Sequence, residues 1–166
     1  MILFNRDILI KQLVKHEGVV LNVYQDSLGI DTIGIGRNLT RGLSEFELQV
    51  LDKTLDEIYE EGITEKDAYF LLGIDIDTVT NELFKVKPTA RRLDAIRQSV
   101  LMDMAFNMGV PRLCGFKKMW IALERRDFDL AATEMLDSRW AEQVKTRATR
   151  LAHSMQHGTY IYKGII

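Results

Sequence analysis

Three residue types able to act together on a polar bond stand close in this chain: Glu17, Asp26 and Thr32. Asp26 follows Glu17 by nine residues and Thr32 follows it by fifteen. A protonated carboxyl can hand its proton to a leaving oxygen while an ionised one activates water from the opposite face, and a hydroxyl can help hold that water. Two carboxyls flanking a bond is the arrangement that glycoside hydrolysis requires. Singly, each residue has a plainer explanation: a solvated glutamate, an aspartate accepting from its own turn, a strand threonine. Their grouping on one short supersecondary unit points to a site.

The elements that must position them follow from hydrophobic period. Leu9, Ile10, Leu13 and Val14 recur at helical spacing, and Asn5 caps that helix with Asp7 in its first turn. Glu17 lies four residues after Leu13, on or beside the apolar face, and Gly18 ends the helix. A carboxyl there meets the negative end of the helix dipole and an apolar flank. Both are expected to raise its pKa, as a general acid near neutral pH needs. Beyond Gly18 the period changes to alternation, with Leu21 and Val23, then Ile33 and Ile35, around the turn Gln25-Asp26-Ser27-Leu28-Gly29. This predicts a β-hairpin with Asp26 leaving the first strand and Thr32 in the second, and residues 38–40 adding a short third strand. Gly34 and Gly36 leave that backbone open to close approach.

The run His16-Glu17-Gly18, Tyr24-Gln25-Asp26, Gly29 and Thr32-Ile33-Gly34-Ile35-Gly36 resembles the catalytic unit of the T-even phage lysozymes, glycoside hydrolase family 24. The resemblance continues through Phe106-Asn107-Met108-Gly109, Gly115-Phe116, Ser138-Arg139-Trp140, Arg147 and His157-Gly158-Thr159, nearly the whole chain in order. It implies an α+β, predominantly helical, two-lobed lysozyme-like fold with a small N-terminal sheet and a long inter-lobe helix. It also implies a muramidase that cleaves the β-1,4 bond between N-acetylmuramic acid and N-acetylglucosamine in peptidoglycan, with inversion and without a cofactor. In those terms Glu17 is the acid, and Asp26 and Thr32 hold the attacking water. Asn38, Phe106, Met119, Glu134 and Arg147 fall at substrate-binding positions, with Arg147 facing Glu17. Related enzymes tend to have leucine, serine and asparagine where this chain has Asn38, Met119 and Glu134. The resemblance further suggests an ion pair between Arg37 and Asp75, which is expected to depress the carboxylate's pKa.

The remaining chain reads as helices. One is expected over 44–60 with Phe46, Leu48, Val50, Leu51, Leu55 and Ile58 facing inward. Another runs from the Thr64 cap, with Asp67 at the capping-box position, to about residue 84. The lobes are expected at 1–63 and 85–166, joined by the helix over 64–84, with the first helix packing in the second lobe. After the break at Pro88, an apolar helix over 94–108 is the centre of the second lobe, and Asp103 interrupts it as a cleft or solvated residue. Residues 111–115 read as a loop, followed by helices near 116–124, 128–137 and 145–156. Trp140 reads as a core anchor, and the methionines as core filler rather than ligands.

At 166 residues and 46% hydrophobic content the chain is an ordinary globular protein able to bury roughly 70% of its unfolded surface. Its lone cysteine, Cys114, excludes an internal disulfide, and its apolar neighbours predict a buried thiol. No His, Cys or carboxylate spacing suggests a metal site, and no Gly-rich phosphate loop precedes a helix. The net charge of −2 hides an asymmetry. Residues 1–84 carry 7 Lys and Arg against 16 Asp and Glu, and residues 85–166 carry 15 against 8. A basic half suits a polyanion, nucleic acid or peptidoglycan; no nucleic-acid motif accompanies it. A non-hydrolytic peptidoglycan-binding module on the same fold is the alternative, which the intact Glu17, Asp26, Thr32 set argues against. The N-terminal residues lack the features of a signal peptide, and no segment is long and apolar enough to span a bilayer. The expectation is a monomer without nucleic-acid binding or membrane insertion. It would wait in a host cytoplasm until a holin permeabilises the membrane, then act on the periplasmic wall.

Overall fold

A computed structural model describes residues 1–160. The fold is α+β and mostly helical, in two compact units: residues 13–77, and residues 1–12 together with the chain from Thr78 onward. The unit boundaries therefore fall inside two helices, Arg6–Glu17 (α1) and Glu65–Val86 (α4).

In the first of these units the end of α1 leads into three antiparallel strands in the order β1-β2-β3: Val20–Gln25, Asp31–Gly34 and Arg37–Asn38. A bulge interrupts β1 between Val20 and Tyr24, after which Tyr24 pairs with Thr32 and Gln25 with Asp31. Ile33 and Ile35 bury fully beneath the sheet, with Leu13, Ile58 and Leu71 in the same unit's core.

The single helix expected over 44–60 is two, α2 (Glu45–Leu51) and α3 (Leu55–Glu61). Asp52 adopts a left-handed conformation that closes α2, and Thr54 restarts the chain with a capping box to Glu57. That Thr54-x-x-Glu57 signal was present in the sequence. Ser44 and Glu47 form the same box before α2, and Thr64 and Asp67 before α4. The buried face of α2 is also different from the expected one. Phe46 and Val50 are exposed, at 61% and 47%, whereas Glu47 and Leu51, one turn apart, are buried.

A carboxylate tolerates that burial because Arg37 meets it. The guanidinium donates to Glu47 Oε1 at 2.8 Å through one nitrogen and to Asp75 Oδ1 through another. The suggested Arg37–Asp75 pair therefore exists, but its acid–base consequence is reversed. Burial lifts Asp75 from 3.8 to about 6 against the pull of Arg37, and the Glu47 charge adds to the rise. Glu47 goes the other way. Burial pushes it up, but hydrogen bonds from the Ser44 amide and hydroxyl, with Arg37, outweigh that and hold it below its ordinary value.

In the second unit Pro88–Arg92 forms a 3-10 turn at the expected break, and α5 (Ala95–Met108) follows with Asp94 accepting from the Ile96 and Arg97 amides. Every residue from Gln98 to Ala105 is buried. The segment expected as a loop is a short helix, α6 (Val110–Cys114), which Pro111 permits because proline is tolerated in a helix's first turn. Cys114 itself is only half-buried, so the buried-thiol expectation fails. Then come α7 (Lys117–Glu124), α8 (Phe128–Leu136), α9 (Arg139–Val144) and α10 (Thr146–His157), of which α9 was not anticipated. Ser138 caps α9 by accepting from Ala141. Trp140 is 1% exposed and donates to Asn107 Oδ1 at 2.9 Å, as a core anchor should.

Because the folded state binds a proton at Asp75 more readily than the unfolded chain does, stability should fall as pH rises from about 4 through about 6. Asp75→Asn removes that dependence. Urea unfolding across pH 4–8 should show wild type losing up to about 3 kcal/mol relative to Asp75→Asn over this window. A gap that is constant with pH would contradict it.

Candidate active site

Glu17, Asp26 and Thr32 all lie in the unit of residues 13–77. Glu17 is the last residue of α1, and the Gly18 amide donates to the Val14 carbonyl at 2.9 Å, so the carboxyl is delivered at the helix's negative end. Gly36 lies against it. A Cβ placed on Gly36 would stand 3.2 Å from Glu17 Cγ and 3.2 Å from Oε2. Gly36 also holds φ at 68°, where a side chain is strained, so position 36 requires glycine for both reasons.

Asp26 leaves β1 and folds its own turn. Its Oδ1 accepts from the Leu28 amide at 2.8 Å and the Ile30 amide at 3.0 Å, while its amide donates to the Ile30 carbonyl. The plainer role of a turn acceptor is real, but it uses one oxygen. Oδ2 takes part in neither bond, and the carboxylate's orientation is fixed by the other two. Thr32 is 4% exposed, and its hydroxyl donates to the Ile30 carbonyl at 2.9 Å. The ladder sets Thr32 opposite Tyr24 on one side and Asn38 on the other. Residues directly opposite share a face, so Tyr24, Thr32 and Asn38 form one row across the sheet. Asn38 is exposed and accepts from the Thr40 amide at 2.7 Å.

Tyr24 belongs to the sequence motif, in which its type and position alone give it no role. Burial raises its pKa, and so do the charges of Glu17 and Asp26. Both carboxylates therefore lie within electrostatic reach of one phenol. The alternation of Tyr24 with Asp26 along β1, together with the hairpin register, was the signal that could have found it.

The other suggested contact residues belong to the second unit. Phe106 is half-buried near the end of α5. Met119 and Glu134 line one cavity of about 600 Å³, with Lys117, Lys118, Arg139 and Trp140 among its other walls. Met119 does so from a fully buried position. Arg147 on α10 donates from Nε to Asp103 Oδ1 at 2.8 Å, with side-chain exposures of 10% and 0%. Asp103 is thus neither solvated nor a cleft residue but the buried partner of a guanidinium, which is what allows an acid inside α5. Among the described residues no group of three or more His, Cys, Asp or Glu is placed to hold a metal.

The Gly36 contact generates a test. Gly36→Ala should cost about 1–2 kcal/mol from the backbone. It should also displace the Glu17 carboxyl by a few tenths of an ångström, so if Glu17 is the acid that the resemblance to phage lysozymes implies, wall lysis should fall by roughly tenfold or more. Paired unfolding and turbidity measurements separate the two; lysis at the wild-type rate would show that the contact does not position Glu17.

Comparison with known proteins agrees with this geometry. The family model described as "Phage lysozyme" matches residues 14–153. The chain is 31% identical to the Probable T4-type lysozyme 1 of Dictyostelium discoideum over 162 residues, covering 90% of this chain and 95% of that protein. It is 27% identical to the Probable T4-type lysozyme 2 of the same organism over 161 residues, with the same coverage. It is also 30% identical over 150 residues to the Pre-baseplate central spike protein Gp5 of Enterobacteria phage T4, covering 85% of this chain and 26% of that protein. With a family match across most of its length and a relative aligned almost end to end, the chain belongs to the phage lysozyme family and is a glycoside hydrolase of the lysozyme type.

Proposed function

We propose that this lysozyme acts as a phage endolysin, cutting the β-1,4 bond between N-acetylmuramic acid and N-acetylglucosamine with inversion to lyse the host. Glu17 gives its proton to the leaving oxygen as the glycosidic C–O bond breaks. Asp26 takes a proton from the attacking water as its oxygen bonds to the anomeric carbon, and Thr32 holds that water. The observation that carries the reading is the division of labour within one unit. One carboxyl sits at a helix end against bare backbone, while a second is held by its own turn through one oxygen only, and the buried Thr32 hydroxyl bonds the Ile30 carbonyl of that same turn. Asn38, Phe106, Met119, Glu134 and Arg147 are the substrate contacts of this reading. It requires no cofactor and a monomer.

Glu17→Gln keeps the shape of the side chain and removes the transferable proton. It should abolish the clearing of a peptidoglycan suspension while leaving unfolding unchanged or slightly later, because a carboxylate at a helix C-terminus is unfavourable. Clearing by Glu17→Gln at near the wild-type rate would end the mechanism.

Delivery to the wall is the second part of the proposal. The enzyme waits in the host cytoplasm, and a holin admits it to the periplasm. No helix among the described residues is long and apolar enough to cross a membrane. Expressed alone in a Gram-negative host, the protein should accumulate without lysis, and chloroform or a co-expressed holin should clear the culture promptly. Prompt lysis with the protein mainly in the periplasm and no permeabiliser would show that it exports itself.

A further inference from the structure

A water molecule has two hydrogens to give and two lone pairs, directed roughly tetrahedrally. The groups assigned to hold the attacking water differ in what they can offer it. The Asp26 carboxylate, when ionised, only accepts. The Thr32 hydroxyl has committed its hydrogen to the Ile30 carbonyl at 2.9 Å, so towards a second partner it too only accepts. Both water hydrogens are then placed and neither lone pair is. One lone pair must face the anomeric carbon, and the other has no donor from these two residues.

Tyr24 is the donor at hand. It stands directly opposite Thr32 in the β1–β2 ladder and two residues before Asp26, on the face they share. It is half-buried, and among the described residues its hydroxyl donates to no protein group. Burial, Glu17 and Asp26 all hold its proton on, so at neutral pH it can give a hydrogen bond but is not ionised.

We propose that the Tyr24 hydroxyl is the third group holding the attacking water: it donates to one lone pair while Asp26 and Thr32 accept the two hydrogens, which turns the remaining lone pair towards the anomeric carbon. The proposal rests on the inverting reading given above. Tyr24 transfers no proton; it fixes the direction of attack. Its loss should therefore slow the chemical step without weakening glycan binding.

Tyr24→Phe keeps the ring and removes only the hydroxyl. With purified Gram-negative sacculi as substrate, kcat should fall at least about tenfold, as expected for one lost oriented hydrogen bond, with KM within twofold and the melting temperature unchanged. Undiminished kcat would overturn the assignment. So would a raised KM at unchanged kcat, since Tyr24 would then be a glycan contact. A kcat loss accompanied by a fall in melting temperature would overturn it as well, by making the role structural. The anomeric configuration of the new reducing end, read by NMR directly after cleavage, separates this from the parent reading. A β product would remove the inverting mechanism itself, whereas an α product with fully active Tyr24→Phe would remove Tyr24 alone.

Discussion

The site depends on a single carboxylate oxygen. Asp26 Oδ1 accepts two amides from the turn that follows it, and those bonds fix both the turn and the register of β1 against β2. Register in a hairpin is all or nothing, because a slip of one residue sends every side chain to the opposite face. Thr32 stands opposite Tyr24 only in this alignment, and Ile33 fills the core only in that same alignment. The residue proposed to take the water's proton therefore also holds the strand pairing that brings its co-workers alongside. In that proposal, structure and chemistry are divided between its two oxygens.

A second constraint comes from charge. Residues 1–84 carry more than twice as many acids as bases, yet α2 turns a glutamate inward. Arg37 makes this possible by serving Glu47 and Asp75 together. One guanidinium cannot fully compensate two carboxylates, so burial decides the outcome and the proton is retained more strongly at Asp75. The second unit uses the same device where the fully buried Asp103 accepts from Arg147. Such pairs add little net stability over an apolar core, but removing one partner costs about 3–5 kcal/mol, so they fix which helices lie together.

Local signals in the sequence were legible where one principle acted alone. Glu17 at a helix end, Asp26 in a turn, the Thr64–Asp67 cap and the buried α5 all followed from period and capping. The errors arose where two principles competed. Apolar Phe46 and Val50 marked an inward face that a salt bridge assigned to Glu47 instead, which no hydrophobic pattern records. The stop at Asp52 was masked by helix-forming residues on either side, although Thr54 and Glu57 spelled a restart. Asp103 looked out of place because its partner lies 44 residues away. Tyr24 was visible in the motif, but its relation to Thr32 exists only once the bulge in β1 has set the pairing.

Eight consecutive buried residues in α5, Gln98 to Ala105, leave that stretch no solvent-facing side. On an amphipathic helix roughly half the positions accept replacement freely, so sequence drift has somewhere to go. Here each change must conserve volume, or a partner in the case of Gln98 and Asp103, and truncation of a large apolar side chain in this run costs about 2–5 kcal/mol. Against a total stability on the order of 5–15 kcal/mol, that is enough to separate growth temperatures at which a variant works from those at which it does not. In a library of random substitutions, conditional heat-sensitive variants should accumulate in this segment.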